Sequence, residues 1–185
     1  AYIEQDKSAM LVDAGLSFRR LTNNLSLLGK KPDKIFGIFI THEHSDHVSG
    51  ANSIAKKLGV PIYATRNTLS MLHLSENIIR HPVHNKKSIF ISDLEVTPFA
   101  KMHDAKDPVS YNICANGKNL AVMTDLGCVC NNVKKYIRSA NILAIEANHD
   151  IAMLESGPYP VYLKQRIKSD VGHLSNYDAA LSVLE

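Results

Sequence analysis

The chain has 185 residues, of which 45% are hydrophobic and 21% are charged. This composition is that of an ordinary globular domain, and it excludes a disordered tail, a collagen-like fibre and a disulfide-stapled miniprotein. The formal net charge of +3 is too weak to indicate a nucleic-acid partner by itself. Histidine is the unusual component, with nine residues against no tryptophan. We expect a single domain over residues 1–185.

Several features predict a cytoplasmic protein with no membrane segment. The longest clear apolar run, Ile35–Ile40, is far too short to span a bilayer, and residues 1–7 lack the pattern of a signal peptide. The cysteines are odd in number, and Cys128 and Cys130 are too close for a CxxC motif. We therefore expect reduced thiols.

Short apolar runs alternate with helical patterns in the first half of the chain, which indicates an α/β domain. Ser17 and Thr65 are residues of the type that caps a helix start, and Gly29 and Gly59 are of the type that ends one. The predicted elements are a strand at 9–12, a helix from 17 to 28, a strand at 35–40, a helix at 51–58, a strand at 60–63 and a helix from 65 to 72.

The second half is richer in predicted strands, and Asn116-Gly117 is a strong hairpin signal. The predicted elements are strands at 88–91, 94–99, 111–115 and 119–124, a helix at 133–139, a strand at 142–145, a helix at 161–168 and a helix from about 176. This order predicts sheets that are covered by helices on both outer faces.

A histidine-rich segment follows the apolar run that ends at Ile40. It reads Thr41-His-Glu-His-Ser-Asp-His47, so His42, His44, Asp46 and His47 form an HxHxDH pattern. Alternate residues of an extended segment point the same way, so the first two histidines can face one point while Asp46 and His47 face a neighbouring one. Such side chains suit zinc, manganese or iron, and four of them can serve two ions, an arrangement used for hydrolysis. A solvated polar loop is the alternative, but it would not explain why so many histidine side chains, which have no packing role there, lie at one strand end.

The HxHxDH segment is the signature of the metallo-β-lactamase superfamily, which the chain resembles over nearly its whole length. The resemblance implies a four-layer αββα sandwich with a dinuclear metal site at one edge of the sheets. It also implies ligands at His103, in Phe99-Ala-Lys-Met-His-Asp104, and at Asp125, in Val122-Met-Thr-Asp-Leu-Gly127. The implied ligands are His42, His44 and His103 for the first ion, Asp46 and His47 for the second, and Asp125 as the bridge.

Within this superfamily, the chain is similar to the YycJ/WalJ group of bacterial proteins. The stretches that carry the similarity are Leu11-Val-Asp-Ala-Gly-Leu16, the HxHxDH segment, Met102-His-Asp-Ala105, Thr124-Asp-Leu-Gly127, Glu146-Ala-Asn-His-Asp150 and Asp170-Val-Gly-His-Leu-Ser-Asn176. The group implies a 5′-to-3′ DNA exonuclease linked to mismatch repair. It would use two divalent ions, zinc or manganese with iron as a further candidate, and a hydroxide held between them.

Members of that group extend beyond both ends of this chain, so we expect that N- and C-terminal elements are missing. The missing carboxyl-terminal part would include a further histidine ligand for the second ion. His149 and His173 are the internal residues that could replace it.

Further residues receive roles from the resemblance and from their chemistry. Asp46 would hold the attacking hydroxide, and His173 would protonate the leaving oxygen, with metal or phosphate binding as alternatives. Glu146 would orient a catalytic or metal-bound histidine, whereas Glu146 with His149 could instead form a buried ion pair. Ser175 would either donate a hydrogen bond to phosphate or cap the helix that follows.

Several basic residues are candidates for phosphate contacts, although a solvated surface position is the ordinary role of any one of them. They are Lys30-Lys31, Lys56-Lys57, Lys86-Lys87, Lys134-Lys135, Lys164, Arg166 and Lys168.

Other functions of the same fold remain as alternatives: an RNA-processing nuclease, a thioester hydrolase, a lactamase or a catalytically weak metal-binding protein. Redox diiron members typically carry glutamate where this chain has His44, so the imidazole favours hydrolysis. The sequence leaves the native metal and the oligomeric state open.

Overall fold

The protein is described here by a computed structural model that covers residues 1–184. The strands of the first sheet are β1 (Tyr2–Gln5), β2 (Ser8–Val12), β3 (Ile35–Phe39), β4 (Ile62–Thr65) and β5 (Arg80–Val83). They lie in the order β1-β2-β3-β4-β5, with β1 antiparallel to β2 and the other neighbours parallel.

The strands of the second sheet are β6 (Ile89–Ile91), β7 (Leu94–Ala100), β8 (Val109–Ala115), β9 (Lys118–Met123) and β10 (Ile142–Ile145). They lie in the order β10-β9-β8-β7-β6, with antiparallel pairs from β6 to β9 and with β10 parallel to β9. Asn116 and Gly117 connect β8 to β9 with φ values of 49° and 71°, the sign that a tight hairpin turn requires. The predicted hairpin is confirmed.

The helices are α1 (Phe18–Leu27), α2 (Ser45–Val48), α3 (Ala51–Leu58), α4 (Arg66–Met71), α5 (Asn131–Ser139), α6 (Ile151–Ser156), α7 (Val161–Lys168) and α8 (Asn176–Leu184). Ser17 and Thr65 cap α1 and α4 as predicted, because their side chains accept backbone hydrogen bonds from Arg20 and Thr68. Gly59 ends α3 in the left-handed conformation that glycine favours. Within residues 1–184, no helix combines the length and apolar character that crossing a membrane demands.

Apolar clusters between the elements define four layers, which confirms the αββα sandwich. Leu21 of α1 and Ile54 of α3 pack on the outer face of the first sheet. Val133 of α5 packs on the outer face of the second sheet. Phe39 and Tyr111 meet in the middle, where the two sheets face each other.

The sequence did not predict β1, β5, α2 or α6. β1 and β5 are the edge strands of the first sheet, and β5 reads Arg80-His-Pro-Val83, which lacks an apolar alternation. The helices α2 and α6 are too short to show a helical period. The strand predicted at 60–63 lies instead at Ile62–Thr65, since Pro61 has no N–H to donate to a ladder.

Tyr111 connects the two sheets next to the histidine segment. Its side chain is fully buried, and its ring meets the Phe39 ring edge-on at 5.5 Å between centroids. The hydroxyl donates a 2.9 Å hydrogen bond to the carbonyl oxygen of Ile40, two residues before His42. The second sheet therefore helps to fix where that segment begins.

We expect Tyr111→Phe to lower the free energy of unfolding by about 1–3 kcal/mol, because the buried Ile40 carbonyl loses its hydroxyl partner. Urea denaturation measures this quantity. Tyr177→Phe is the matched control at an exposed position, and it should stay within about 0.5 kcal/mol of the parent. Equal stability of the two variants would contradict the role assigned to Tyr111.

Candidate metal centre

The predicted ligands lie at one edge of the sandwich, where strands of both sheets end. The histidine segment follows β3 of the first sheet. In the second sheet, β7 and β9 are both antiparallel to β8, and β10 is parallel to β9. The carboxyl ends of β7, β9 and β10 therefore share an edge, and His103, Asp125 and Glu146 follow those ends.

His42, His44 and His103 form a first group of possible metal ligands. The Nδ1 atom of His44 lies 3.1 Å from Nε2 of His42 and 3.3 Å from Nε2 of His103. Nitrogen ligands placed tetrahedrally about 2.0–2.1 Å from zinc are separated by about 3.3–3.4 Å. The spacing of these three nitrogens therefore fits a single divalent ion.

Hydrogen bonds on the outer side of two rings orient them for metal binding. Nδ1 of His103 lies 3.0 Å from the carbonyl oxygen of Gly172, to which it donates. Nδ1 of His42 lies 2.8 Å from the Thr41 hydroxyl, which donates its own proton to Asp13 and so must accept from the ring. With Nδ1 protonated in both rings, Nε2 keeps its lone pair for a metal ion.

His47 and Asp125 form a second group with His42. Oδ2 of Asp125 lies 2.5 Å from Nε2 of His47 and 3.4 Å from Nε2 of His42. Asp125 thus joins the second group to His42, which also belongs to the first. Asp46 borders the second group from the solvent side: its side chain is 78% exposed, and Oδ2 lies 3.4 Å from Nε2 of His47.

Glu146 and His173 adjoin Asp125 and form a third group with it. Nδ1 of His173 lies 2.7 Å from Oε1 of Glu146 and 3.6 Å from Oδ1 of Asp125. The other oxygen of Glu146 accepts backbone hydrogen bonds from Leu126 and Leu174. Glu146 therefore ties the loop that carries Asp125 to the loop that carries His173.

Burial and pairing set the charges of the histidines. Burial holds the pKa of His42 well below its ordinary value, which favours the neutral ring that metals bind. Burial alone would also lower the pKa of His47, but hydrogen bonds with Asp125 and Asp13 raise it to about 10, so a metal ion at Nε2 would have to replace the proton that this nitrogen shares with Asp125. The hydrogen bond to Glu146 raises the pKa of His173, which favours its protonated form.

Comparison with known proteins shows the family to which the chain belongs. Residues 9–185 match the β-lactamase superfamily domain. The chain belongs to this superfamily. It is 37% identical, over 99% of its length, to exodeoxyribonuclease WalJ of Streptococcus pneumoniae and spans 70% of that protein. It is 38% identical, over its full length, to exodeoxyribonuclease YycJ of Bacillus anthracis and spans 71% of it. These relatives place the chain in the YycJ/WalJ group.

A solved structure supports the same fold. The metallo-β-lactamase fold protein YhfI from Bacillus subtilis aligns with a TM-score of 0.74 at 17% identity. The alignment covers 98% of this chain and 70% of that one. At this level of identity, the likeness concerns the architecture alone.

Three predicted residues lie outside the three groups: Asp46, which borders the second group, and Ser175 and His149. The Ser175 hydroxyl donates to the Asp178 carboxylate and accepts from the Asp178 N–H, so Ser175 caps α8. His149 pairs with Ser175 through an isolated β-bridge and lines a cavity beside His173. The partner of Glu146 is therefore His173, and the alternative of a pair between Glu146 and His149 is not what the contacts favour.

Asp13 belongs to the centre although the sequence suggested no role for it. Its carboxylate accepts hydrogen bonds from the Thr41 backbone N–H, the Thr41 hydroxyl and Nδ1 of His47. Asp13 and Asp125 both adopt left-handed φ values, 62° and 49°, which aspartate tolerates better than most residues. Their position directly after strands was the signal available in the sequence.

Lys101 and Asp104 also adjoin the centre, although neither was predicted from the sequence to be a site residue. Lys101 is 5% exposed, donates a hydrogen bond to the Thr124 carbonyl, and has a pKa that burial lowers to about 8. Asp104 places Oδ1 3.4 Å from Nε2 of His103, while Arg166 binds its other oxygen at 2.6 Å. Neither contact has a local sequence pattern that would have revealed it.

Asp13→Asn should weaken zinc binding about 10–100-fold, because the partners that orient metal-binding histidines contribute that much to affinity. The variant keeps the size of the side chain but cannot accept all three hydrogen bonds from Thr41 and His47. Competition with a chromogenic chelator measures the affinity. Asp33→Asn, at an exposed position, should bind zinc as the parent does. A zinc affinity unchanged by Asp13→Asn would refute the orienting role.

Proposed function

We propose that the chain is a metal-dependent phosphodiesterase, specifically a 5′-to-3′ exonuclease acting on DNA. The observation that carries this proposal is the convergence of two donor groups, one with three imidazoles and one with a carboxylate, that share His42. DNA as the substrate is supported by the names of WalJ and YycJ, both exodeoxyribonucleases. A role in DNA repair and a cytoplasmic setting belong to the same proposal.

The donor sets suit two divalent ions. His42, His44 and His103 would hold the first, while Asp46 and His47 would hold the second with Asp125 between them. Imidazole and carboxylate together suit zinc or manganese, with iron as a further candidate. Such ions, when bound, lower the pKa of a water molecule and offset the negative charge of a phosphate.

Asp46 is the carboxylate best placed to act on the attacking water. Its side chain faces solvent beside Nε2 of His47, whereas Asp13 and Asp125 are held by hydrogen bonds and ion pairs inside the centre. An exposed carboxylate there can accept a hydrogen bond from the water molecule and hold it in line with phosphorus.

His173 is suited to protonate the oxygen that leaves phosphorus. Glu146 accepts the Nδ1 hydrogen bond and raises the pKa of the ring, which favours the imidazolium form with a second proton on Nε2. As the P–O bond breaks, transfer of the Nε2 proton turns the leaving oxygen into a hydroxyl and leaves the ring neutral. Glu146 keeps its hydrogen bond to Nδ1 and holds the ring in place.

Cleavage of linear DNA with a 5′-phosphate and an end label, in added Mn²⁺, tests the proposed function. The parent should release mononucleotides from the 5′ end. Asp46→Ala should abolish turnover while its circular dichroism spectrum stays that of the parent, because the residue is exposed and supports no core contact. Asp33→Ala is the matched control and should retain full activity.

Two outcomes of that experiment would count against the proposal. Near-parental turnover by Asp46→Ala would overturn the assignment of the site. Cleavage of RNA of the same sequence, without cleavage of DNA, would overturn the assignment of DNA as the substrate.

A leaving-group comparison tests His173. His173→Ala should lower kcat for DNA by about 10²–10⁴-fold, the usual contribution of a general acid. It should affect bis(4-nitrophenyl) phosphate far less, because nitrophenolate leaves without a proton. Glu146→Gln should likewise lower the rate on DNA more than the rate on bis(4-nitrophenyl) phosphate. His84→Ala, at an exposed position, should change neither rate. Equal losses on both substrates would rule out proton donation by His173.

A further inference from the structure

We propose that the exposed face of α5, together with the cavity at its start, binds the phosphates of the DNA strand next to the bond that is cleaved. This inference rests on the proposed function and deepens it. It also selects one of the four lysine pairs that the sequence left equivalent.

The cavity lies between His173 and α5. It has a volume of about 460 Å³, within the range of about 300–1,000 Å³ that small-ligand sites occupy. His173 lines it on the side of the centre, and Lys134 of α5 and Lys168 of α7 line it with cationic groups, of which Lys168 is paired with Glu155. Asp170 and Asp178 also line it, so the excess positive charge lies farther along α5.

Lys134 is shared between this cavity and an open groove along the helix. The groove is lined by Lys134, Lys135 and Arg138 with polar neighbours, and none of its lining residues is acidic. Val133 and Tyr136 are buried against the second sheet, so the opposite face of α5 is turned to solvent. Residues four apart lie on the same side of a helix about 6 Å apart, so the cations form one stripe that starts at the cavity.

The other lysine pairs lack this continuity with the centre. Lys30 forms an ion pair with Glu4 in the first sheet. Lys57, on α3, lies over the Phe18 ring on the outer face of that sheet. Lys86-Lys87 precedes β6, which is the edge of the second sheet opposite to β10. Among the four lysine pairs, Lys134-Lys135 is therefore the pair that the cavity joins to the His173 side of the centre.

The test compares two double variants of equal charge. Lys135→Gln/Arg138→Gln removes two exposed cations of the groove, and Lys56→Gln/Lys57→Gln removes two from α3. Lys134 is left in place because it lines the cavity beside His173. Binding to a 5′-phosphorylated phosphorothioate oligonucleotide, labelled at its 3′ end, is followed by fluorescence anisotropy in Mn²⁺ over a range of salt concentrations.

In the α5 variant, the slope of log affinity against log salt should become less steep by about 1.4, since each phosphate contact of a single strand contributes about 0.7 to its magnitude. Its KM for DNA should rise while kcat and the turnover of bis(4-nitrophenyl) phosphate stay at parental values. The α3 variant should keep the parental slope and KM.

An unchanged slope in the α5 variant, or an equal fall in the α3 variant, would overturn the proposed surface. A parent that hydrolyses the small phosphodiester but does not bind DNA would overturn it as well. Salt-dependent DNA binding that needs the α5 cations, in a chain that does not cleave DNA, would support the surface and reject the exonuclease function alone.

Discussion

The candidate metal centre depends on the hydrogen bonds that the Asp13 carboxylate accepts. It stands directly after β2 and accepts hydrogen bonds from two groups of Thr41 and from Nδ1 of His47. Thr41 in turn accepts from His42, so one carboxylate sets the orientation of a histidine in each of two donor groups. Because its partners lie at both ends of the histidine segment, Asp13 fixes the shape of that segment as a whole.

Lys101 has a comparable influence from the second sheet. Its buried ammonium interacts with the carboxylates of Asp125, Asp13 and Glu146, the acidic groups that the centre brings together. It also binds the carbonyl of Thr124, the residue before Asp125. This contact helps to hold Asp125 in its left-handed conformation, which a residue other than glycine adopts only with support from its surroundings.

The sequence predicted the parts of the molecule that are decided within a few residues. Ser17 and Thr65 act on the first turn of their own helices, and the hairpin at Asn116-Gly117 needs only those two residues. The HxHxDH segment is also local, and its resemblance to a known superfamily supplied the distant His103 and Asp125. The order of the predicted elements indicated sheets covered by helices on both outer faces, and the resemblance implied the four-layer αββα sandwich.

What escaped prediction depends on partners far along the chain. β5 is a strand because β4 offers it an edge, although its sequence begins with two polar residues and contains a proline. Asp13 gains its partners only because β2 and β3 run parallel and end together. Lys101 is buried because the loops after β7 and β9 meet over it. Pairing of this kind leaves no periodic trace in the amino-acid sequence.

The division of the first donor group between the two sheets has a mechanical consequence. His42 and His44 come from the first sheet and His103 from the second. An ion held by all three would crosslink the sandwich, much as a disulfide joins two distant strands, and would resist sliding of one sheet over the other. The edge-on contact of Phe39 with Tyr111 sets the same relative position from within the core. Changes in interior packing should therefore alter metal preference as well as stability.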